Sequence, residues 1–245
     1  MADPVGPPLL EARQIVKVFG QHRALDAVDF DARAGEVHAL LGENGAGKST
    51  LIKILTGALQ PDGGEVRVAG QPVILRDPLQ AQGLGIGTVY QEVNLLPNRS
   101  VAENLFLGRQ PTRWGLVRKA QIERRSRAIL DAYGLDIDVR AELGTFSVAV
   151  QQIVAIARAV ELSGKVLVLD EPTSALDVTI QKQVLALLQK LQKERALSYL
   201  LITHDVDVVR AMAHDVIVLK DGAVVEAGSA AEGLGHAQHP YTRKL

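Results

Sequence analysis

The sequence predicts an α/β fold in which buried parallel strands end in polar residues and are followed by helices. Two stretches predict this most directly. Residues 37–56 run from an apolar segment through a glycine-rich turn into an amphipathic segment, as in a strand–loop–helix unit. Residues 165–171, Lys-Val-Leu-Val-Leu-Asp-Glu, are typical of a strand that is buried on both faces. The region between them, from about residue 92 to 160, reads as mostly helical and indicates a helical subdomain inserted in the α/β core.

The composition is that of a globular protein. The chain has 245 residues, 47% apolar and 22% charged, which suffices for one large domain with an inserted subdomain. The formal net charge of -1 gives no electrostatic reason to expect nucleic acid as a partner. The absence of cysteine excludes disulfides and thiolate metal sites. We expect residues 1–8 to be disordered and find neither a secretion signal nor an apolar run of the ~20 residues that span a membrane.

The glycine-rich turn matches the pattern G-x-x-x-x-G-K-[ST], a phosphate-binding loop. Its glycines let backbone N–H groups turn inward around a polyphosphate, and the following helix adds the positive end of its dipole. Lys48 would supply a charge for the β- and γ-phosphates, and the hydroxyl of Ser49 is a candidate ligand for Mg²⁺. The predicted nucleotide-binding residues of this loop are Gly42, Glu43, Asn44, Gly45, Ala46, Gly47, Lys48, Ser49 and Thr50.

An antiparallel hairpin is predicted upstream of this loop, because residues 9–19 and 24–30 both have the alternation of strands. Phe19 lies at its turn. If its ring is exposed there, it could stack on adenine. Considered alone, this residue is better explained as an ordinary core phenylalanine at the end of a strand.

Four further segments carry residues of interest in or next to the predicted helical region. Gln91 follows a short strand at 88–90, where ligand binding and simple loop polarity explain a polar residue equally well. Ser100 and Glu103 form a capping box. Residues 119–133 form a basic helix, whose cations suit a solvated face better than a phosphate site. Ser147 is placed to cap the helix that carries the apolar periodicity of residues 153–162.

Polar residues end two more strands. Asp170 and Glu171 follow the buried strand, and His204 follows the apolar strand at 198–203. In the phosphate-loop class, Asp170 would hold Mg²⁺ and Glu171 would orient or deprotonate the attacking water. Capping carboxylates and a structural histidine are the alternatives. A helix at 178–195 and a hairpin at 216–227 with an Asp-Gly turn complete the prediction.

Taken together, GENGAGKST, Gln91, the Ser-led segment at 146–150, VLVLDE, SALD at 174–177 and THD at 203–205 closely resemble the ATP-binding subunits of ABC transporters. The resemblance covers residues 9–245 as one nucleotide-binding domain and implies ATP and Mg²⁺ as cofactors. It implies adenine stacking by Phe19 and Walker A at 42–50. It also implies a Q-loop glutamine, Gln91, which senses the γ-phosphate and the transmembrane partner and is a candidate catalytic and metal-binding residue. It further implies Walker B at Asp170, a catalytic Glu171 and a switch histidine, His204.

The same resemblance implies partners. In this family the signature segment of one domain closes over the Walker A loop of a second ABC domain, which makes Ser147 a nucleotide-contacting residue in a homo- or heterodimer. Transmembrane permease subunits and, indirectly, a periplasmic or extracellular solute-binding protein are implied as well. The implied location is cytoplasmic, on the inner face of the cell membrane. The usual signature LSGGQ reads Phe-Ser-Val-Ala-Val here, with Val148 and Ala149 in place of both glycines, which predicts inefficient closure.

Residues from about 9 to 176 are similar to the first nucleotide-binding domain of monosaccharide importers, which usually carry two such domains. Residues from about 177 to 245, with DVTIQKQV and HPYTRKL, are similar to oligopeptide importer ATPases. A mosaic or chimeric chain is therefore one interpretation. The favoured function is ATP hydrolysis that powers monosaccharide import. An oligopeptide importer ATPase is the first alternative, and a soluble ABC ATPase or a nucleotide-binding module with little turnover is the second.

Overall fold

The computed structural model describes residues 7–89, 95–174, 176–233 and 237–244. Its amino-terminal elements are β1 (Leu10–Phe19), β2 (His22–Ala32), β3 (Val37–Leu41), α1 (Lys48–Leu55), β4 (Gly63–Val68), β5 (Gln71–Val73), α2 (Pro78–Gly83) and β6 (Ile86–Val89). The middle elements are α3 (Val101–Leu105), β7 (Thr112–Arg113), β8 (Leu116–Val117), α4 (Lys119–Ala132) and α5 (Val148–Ser163). The carboxyl-terminal elements are β9 (Val166–Asp170), α6 (Val178–Arg195), β10 (Ser198–Ile202), α7 (Val206–Met212), β11 (Asp215–Lys220), β12 (Ala223–Ser229) and α8 (Ala230–Gly233).

The central element is a six-stranded sheet in the order β12-β11-β3-β10-β9-β6. All its neighbouring pairs are parallel except β11–β12, which form the predicted hairpin. Alternate residues of β9 pack into two different cores, Val168 on one face and Leu167 and Leu169 on the other. Because both faces are covered, the strands read as continuous apolar runs.

A second, antiparallel sheet of order β2-β1-β4-β5 covers one face of this core. Its hairpin β1–β2 is the one predicted from the sequence, with Phe19 opposite His22 at the turn. Leu10, Ile15 and Val28 are fully buried in a core shared with α1 and with the central sheet. This contact brings the turn of the hairpin to the start of α1.

Helices α3, α4 and α5 lie between β6 and β9 in the chain and pack on the other face of the central sheet. The predicted capping box at α3 is present, since Ser100 and Glu103 exchange hydrogen bonds of 3.0 and 3.1 Å. The predicted basic helix is α4, and Ser147 caps α5 through the Val150 N–H at 3.4 Å. Helix α5 starts at Val148, five residues before the predicted periodic segment, because this cap allows the helix to begin there.

Candidate active site

The loop between β3 and α1 depends on its glycines for both conformation and space. Gly42, Gly45 and Gly47 have φ of 147°, 87° and 107°, values that favour glycine. A Cβ on Gly47 would lie 2.6 Å from the carbonyl oxygen of Ala24, and one on Gly42 would collide with the carbonyl oxygen of Leu219. Around Gly45 no atom lies within 4 Å of such a Cβ. The loop is therefore wedged between β2 and β11 at its two ends and open in its middle.

Lys48 starts α1 and points back over this loop. Its Nζ donates to the carbonyl oxygens of Gly42 and Glu43 at 2.6 and 3.0 Å. Burial lowers the pKa of Lys48, while the carboxylates of Glu171 and Asp170 oppose that shift. The ammonium group is thus held at the mouth of the loop, between the backbone and two acidic side chains.

Asp170 is the last residue of β9, and β10 separates that strand from β3 in the sheet. Burial raises the pKa of Asp170, the neighbouring Glu171 adds to the effect, and Lys48 opposes it. A carboxylate that is short of solvent and next to another carboxylate is stabilised by a cation. Its position at the carboxyl edge of a parallel sheet is where ligands bind in α/β folds.

Glu171 and His204 meet at this edge. The pairing of β9 with β10 places Asp170 opposite Ile202, so the residues that follow the two strands lie side by side. Oε1 of Glu171 is 2.9 Å from Nδ1 of His204. Glu171 has a φ of 49°, an uncommon conformation for a side chain of this size, and its N–H donates to the carbonyl of Ile202 at 2.9 Å. Such strain is typical of functional sites.

The phosphate loop, Lys48, Asp170 and Glu171 line an open cavity of about 350 Å³, and His204 adjoins it through its contact with Glu171. Phe19 is half exposed, at 49%, so it is the accessible aromatic rather than the core residue. The ammonium of Lys17 lies 5.6 Å from the centroid of its ring. The lining residues are Phe19, His22, Ala24, Asn44, Gly45, Gly47, Lys48, Ser49, Thr50, Asp170, Glu171 and Ile202.

Of the described residues of the predicted site, Gly42, Glu43, Ala46, Ser147 and His204 do not line this cavity. Ser147 caps α5 and is exposed together with Val148, whose exposed fraction is 51%. The segment is therefore free to meet a second molecule. Gln91 lies outside the described residues.

Tyr241 was not among the predicted site residues, yet it contacts the phosphate loop. Its hydroxyl accepts the N–H of Glu43 at 2.7 Å, and the side chain is 9% exposed. Glu226 holds this segment by accepting the N–H groups of Gln238 and His239 at 2.9 and 3.2 Å. One signal for this residue was present in the sequence, an aromatic side chain near the end of the chain. Its position has no fixed spacing from the phosphate loop, so the contact could not be predicted.

The sequence model of the family described as "ABC transporter" matches residues 25–174, which contain the phosphate loop and the Asp170–Glu171 pair. The chain belongs to the ABC transporter family. It is an ATP-binding domain of that family, with the mixed α/β fold and the antiparallel β-subdomain that the sequence predicts.

The similar curated proteins are named for sugar import. The galactofuranose transporter ATP-binding protein YtfR of Escherichia coli (strain K12) is 50% identical over 217 residues, which cover 89% of this chain and 43% of YtfR. The ribose import ATP-binding protein RbsA 1 of Rubrobacter xylanophilus is 48% identical over 226 residues, covering 92% of this chain and 45% of that protein. The chain thus spans less than half the length of the curated relatives it matches.

Solved ABC domains have the same fold. The ADP conformation of MJ1267, an ATP-binding cassette of an ABC transporter, matches with a TM-score of 0.83 and 26% identity over 94% of this chain and 96% of that one. The dimeric post-hydrolysis state of the cassette MJ0796, bound to ADP and Pi, matches with a TM-score of 0.76 and 28% identity over 90% and 98% of the two chains. Within the described residues, the helices of this chain are too short or too polar to cross a membrane.

Proposed function

We propose that this chain is the ATP-binding and ATP-hydrolysing domain of an ABC importer for a monosaccharide. Residues 9–245 would form one nucleotide-binding domain, with the helical subdomain at about 92–160. The observation that carries the proposal is the cavity that joins the phosphate loop, Asp170 and Glu171, with His204 hydrogen-bonded to Glu171. The wide sequence similarity to sugar import proteins supports the choice of cargo.

ATP would bind with its triphosphate in the loop and its base near Phe19. The open middle of the loop and the dipole of α1 favour the anion, and Lys48 exchanges its two carbonyl partners for phosphate oxygens. The half-exposed Phe19 ring, with Lys17 nearby, presents a face on which adenine stacks. Glu43, Asn44, Ala46 and Thr50 complete the loop as backbone and side-chain contacts.

The residues at the inner end of the cavity suit Mg²⁺. The hydroxyl of Ser49 and the carboxylate of Asp170 are oxygen donors, which this cation prefers, and burial of Asp170 makes a cation there favourable. We propose Gln91 as the third protein residue of this group. When bound, Mg²⁺ would neutralise charge on the β- and γ-phosphates.

Glu171 is the proposed general base. Water attacks the γ-phosphorus, Glu171 takes a proton from that water, and the bond to the β-phosphate oxygen breaks to leave ADP and phosphate. The hydrogen bond to His204 fixes the carboxylate, and the imidazole reaches out of the cavity with an exposed fraction of 78%. We propose that it contacts the γ-phosphate.

The proposed partners are a second ABC domain and membrane-spanning permease subunits. The exposed segment at Ser147 would cover the phosphate loop of the second domain, and the dimeric MJ0796 structure supports such an assembly. The complex would work at the inner face of the cell membrane, with a solute-binding protein on the other side.

An oligopeptide importer ATPase remains the second candidate. It is favoured by the likeness of residues from about 177 to 245 to such ATPases, and by the mosaic origin that this likeness would imply. The observation in its favour is that the described residues of HPYTRKL, 239–244, belong to the domain, since Tyr241 packs on the phosphate loop. Against it stands the similarity to sugar import proteins over 89–92% of the chain.

Lys48→Ala tests the proposed site, with Lys53→Ala as its control. Both lysines lie on α1, but Lys53 is exposed and does not line the cavity. In an equilibrium titration with a fluorescent ATP analogue, Lys48→Ala should abolish binding or weaken it severely, and Lys53→Ala should bind like the unmodified protein. Equal affinity in the two variants would show that this cavity is not the ATP site.

A further inference from the structure

A short hairpin, β7–β8, projects from the helical region between α3 and α4, with Trp114 at its tip. Arg113 pairs with Leu116, so Trp114 and Gly115 form a two-residue turn. The side chains of Trp114, Leu116 and Val117 are 90%, 75% and 48% exposed. The hairpin is a two-stranded sheet of its own. Three neighbouring apolar side chains thus face solvent on an element that they do not help to pack.

The backbone at the tip makes this tryptophan a costly choice. Trp114 and Gly115 have φ of 57° and 78°, as in a type I′ turn, in which Asn-Gly is the preferred pair. A bulky residue at positive φ is an outlier. Trp114 is 90% exposed, and the Arg113 guanidinium lies 5.8 Å from the centroid of its ring. A side chain so exposed gains little from packing, so packing does not offset this strain. An uncompensated outlier of this kind points to function.

The sequence of the hairpin and of its flanks, residues 107–122, is basic. Residues 107–122 contain Arg109, Arg113, Arg118 and Lys119 and no acidic residue, in a chain whose net charge is -1. In the described part of the chain, neither Arg113 nor Arg118 forms an ion pair. Arg118 and Lys119 also begin α4, where the helix dipole disfavours cations. Arg113, Arg118 and Lys119 are exposed cations, so this surface favours an anionic partner.

We propose that the Trp114 hairpin docks on an anionic lipid surface, with its apolar tip in the headgroup region and its cations on lipid phosphates. Tryptophan prefers this interface, and basic residues are attracted to acidic lipid. Three apolar side chains are few for a protein partner, because a standard protein interface uses about 20–30 residues a side. The proposal rests on the proposed function, which brings the chain to the membrane.

The experiment uses the intact chain, whose one tryptophan is Trp114. Its fluorescence should shift to shorter wavelengths with vesicles of phosphatidylglycerol and phosphatidylcholine. Vesicles of phosphatidylcholine alone should leave it unchanged, and added salt should reverse the shift, since surface charge is screened. Co-sedimentation should follow the same pattern.

Two variants and a control sharpen the test. Trp114→Asn suits the turn and relieves its strain, so it should raise the Tm slightly and keep the ATP affinity, but lose about tenfold or more in vesicle binding, read by co-sedimentation. Arg118→Gln should lose about fivefold. The control Arg210→Gln removes the charge of an exposed side chain on α7 and should bind vesicles like the unmodified protein.

An unchanged Trp114 emission with anionic vesicles would overturn the proposal, and so would equal binding to both vesicle types. A shift that grows with protein concentration in the absence of lipid would instead identify a second copy as the occupant, which also overturns it. The proposed function is tested separately. If the unmodified chain does not bind ATP, that function alone is contradicted. If it binds ATP but not vesicles, the docking alone is contradicted.

Discussion

Glu171 and His204 are joined across two adjacent parallel strands by a contact of 2.9 Å between Oε1 and Nδ1. The glutamate side chain is 16% exposed and the histidine 78%, so the carboxylate is largely buried while the imidazole faces solvent. The backbone of Glu171, at a φ of 49°, is held by its own N–H bond to Ile202. Both ends of the residue are thereby fixed, which positions the carboxylate toward the cavity without help from the helical region.

We expect Asp170→Asn to stabilise the nucleotide-free protein while it weakens binding of Mg-ATP. Burial raises the pKa of Asp170, so the folded state binds the proton more tightly than the unfolded state, and stability is lost as pH rises above the ordinary carboxyl range. Asn carries no charge at any pH. Since 1 kcal/mol corresponds to about 2–4 °C in a protein of this size, we expect a rise of that order in the Tm at neutral pH.

The pH dependence checks the cause. The difference in Tm between Asp170→Asn and the unmodified protein should shrink as the pH is lowered into the carboxyl range, because the unmodified side chain then becomes neutral as well. Asp31→Asn, at an exposed position, serves as the control and should leave the Tm nearly unchanged. If Asp170→Asn has a lower Tm than the unmodified protein at neutral pH, the buried charge of Asp170 does not destabilise the folded state and the inference is contradicted.

The double variant Val148→Gly with Ala149→Gly should increase ATP turnover at the expense of stability. These residues begin α5 directly after its cap Ser147, and their side chains stand where the family signature has glycine. A misplaced backbone donor costs roughly 10²–10³ in rate. If the glycines let the backbone N–H groups approach the γ-phosphate closely, turnover should rise by at least about tenfold. Each glycine costs about 0.5–1 kcal/mol in the helix.

The control is Val178→Gly, because Val178 also begins a helix after a capping residue, Asp177, and is 67% exposed. It should lower the Tm in the same way without a gain in turnover. ATPase rates and light scattering of the dimer at saturating ATP measure the effect. Brisk turnover of the unmodified protein with no gain from the glycines would show that these side chains do not limit closure.

Tyr241→Phe should weaken ATP binding about twofold to tenfold, the effect of one hydrogen bond worth about 0.5–1.5 kcal/mol. The change removes the acceptor of the Glu43 N–H and keeps the ring in its apolar contacts. Tyr199→Phe is the matched control, because its hydroxyl bonds the Leu188 carbonyl at 2.9 Å away from the cavity. It should lower the Tm and leave ATP affinity unchanged. Equal ATP affinities in the two variants would mean that Tyr241 does not position the loop.

The strands of the central sheet could be predicted because burial on both faces leaves an apolar signature that ends in polar residues, as at Leu169 and Asp170. Less regular pieces escaped prediction. Helix α7 is short, and the hairpin at Trp114 has two-residue strands, which are too short for an alternation to register. The end of α2 and the start of β6, within residues 83–87, were not predicted, because the glycines of this segment obscure its pattern.

The residues of the candidate site were predicted from motifs, and the structure brings Phe19, the loop, Asp170 and Glu171 into one cavity. The reason is topological, because carboxyl ends of parallel strands meet at one edge. Two features depend on tertiary contacts that no spacing encodes. One is the Glu171–His204 hydrogen bond, and the other is Tyr241, which reaches the loop from 198 residues further along the chain.

In the proposed mechanism, Glu171 is the base for ATP hydrolysis in this cavity. Glu171→Gln keeps the size of the side chain and a partner for His204 but cannot accept the proton from water. We therefore expect a loss of about 10²–10⁴ in rate, with Mg-ATP affinity retained. Glu194→Gln, at an exposed position on α6, should have the turnover of the unmodified protein.

The measurement is phosphate release at saturating Mg-ATP, alongside ATP binding to the same preparations. Retained binding with turnover lost in Glu171→Gln, and both functions intact in Glu194→Gln, is the predicted result. Undiminished phosphate release by Glu171→Gln would show that Glu171 is not the base. Proton transfer would then belong to another group, and His204 would be the first to be tested.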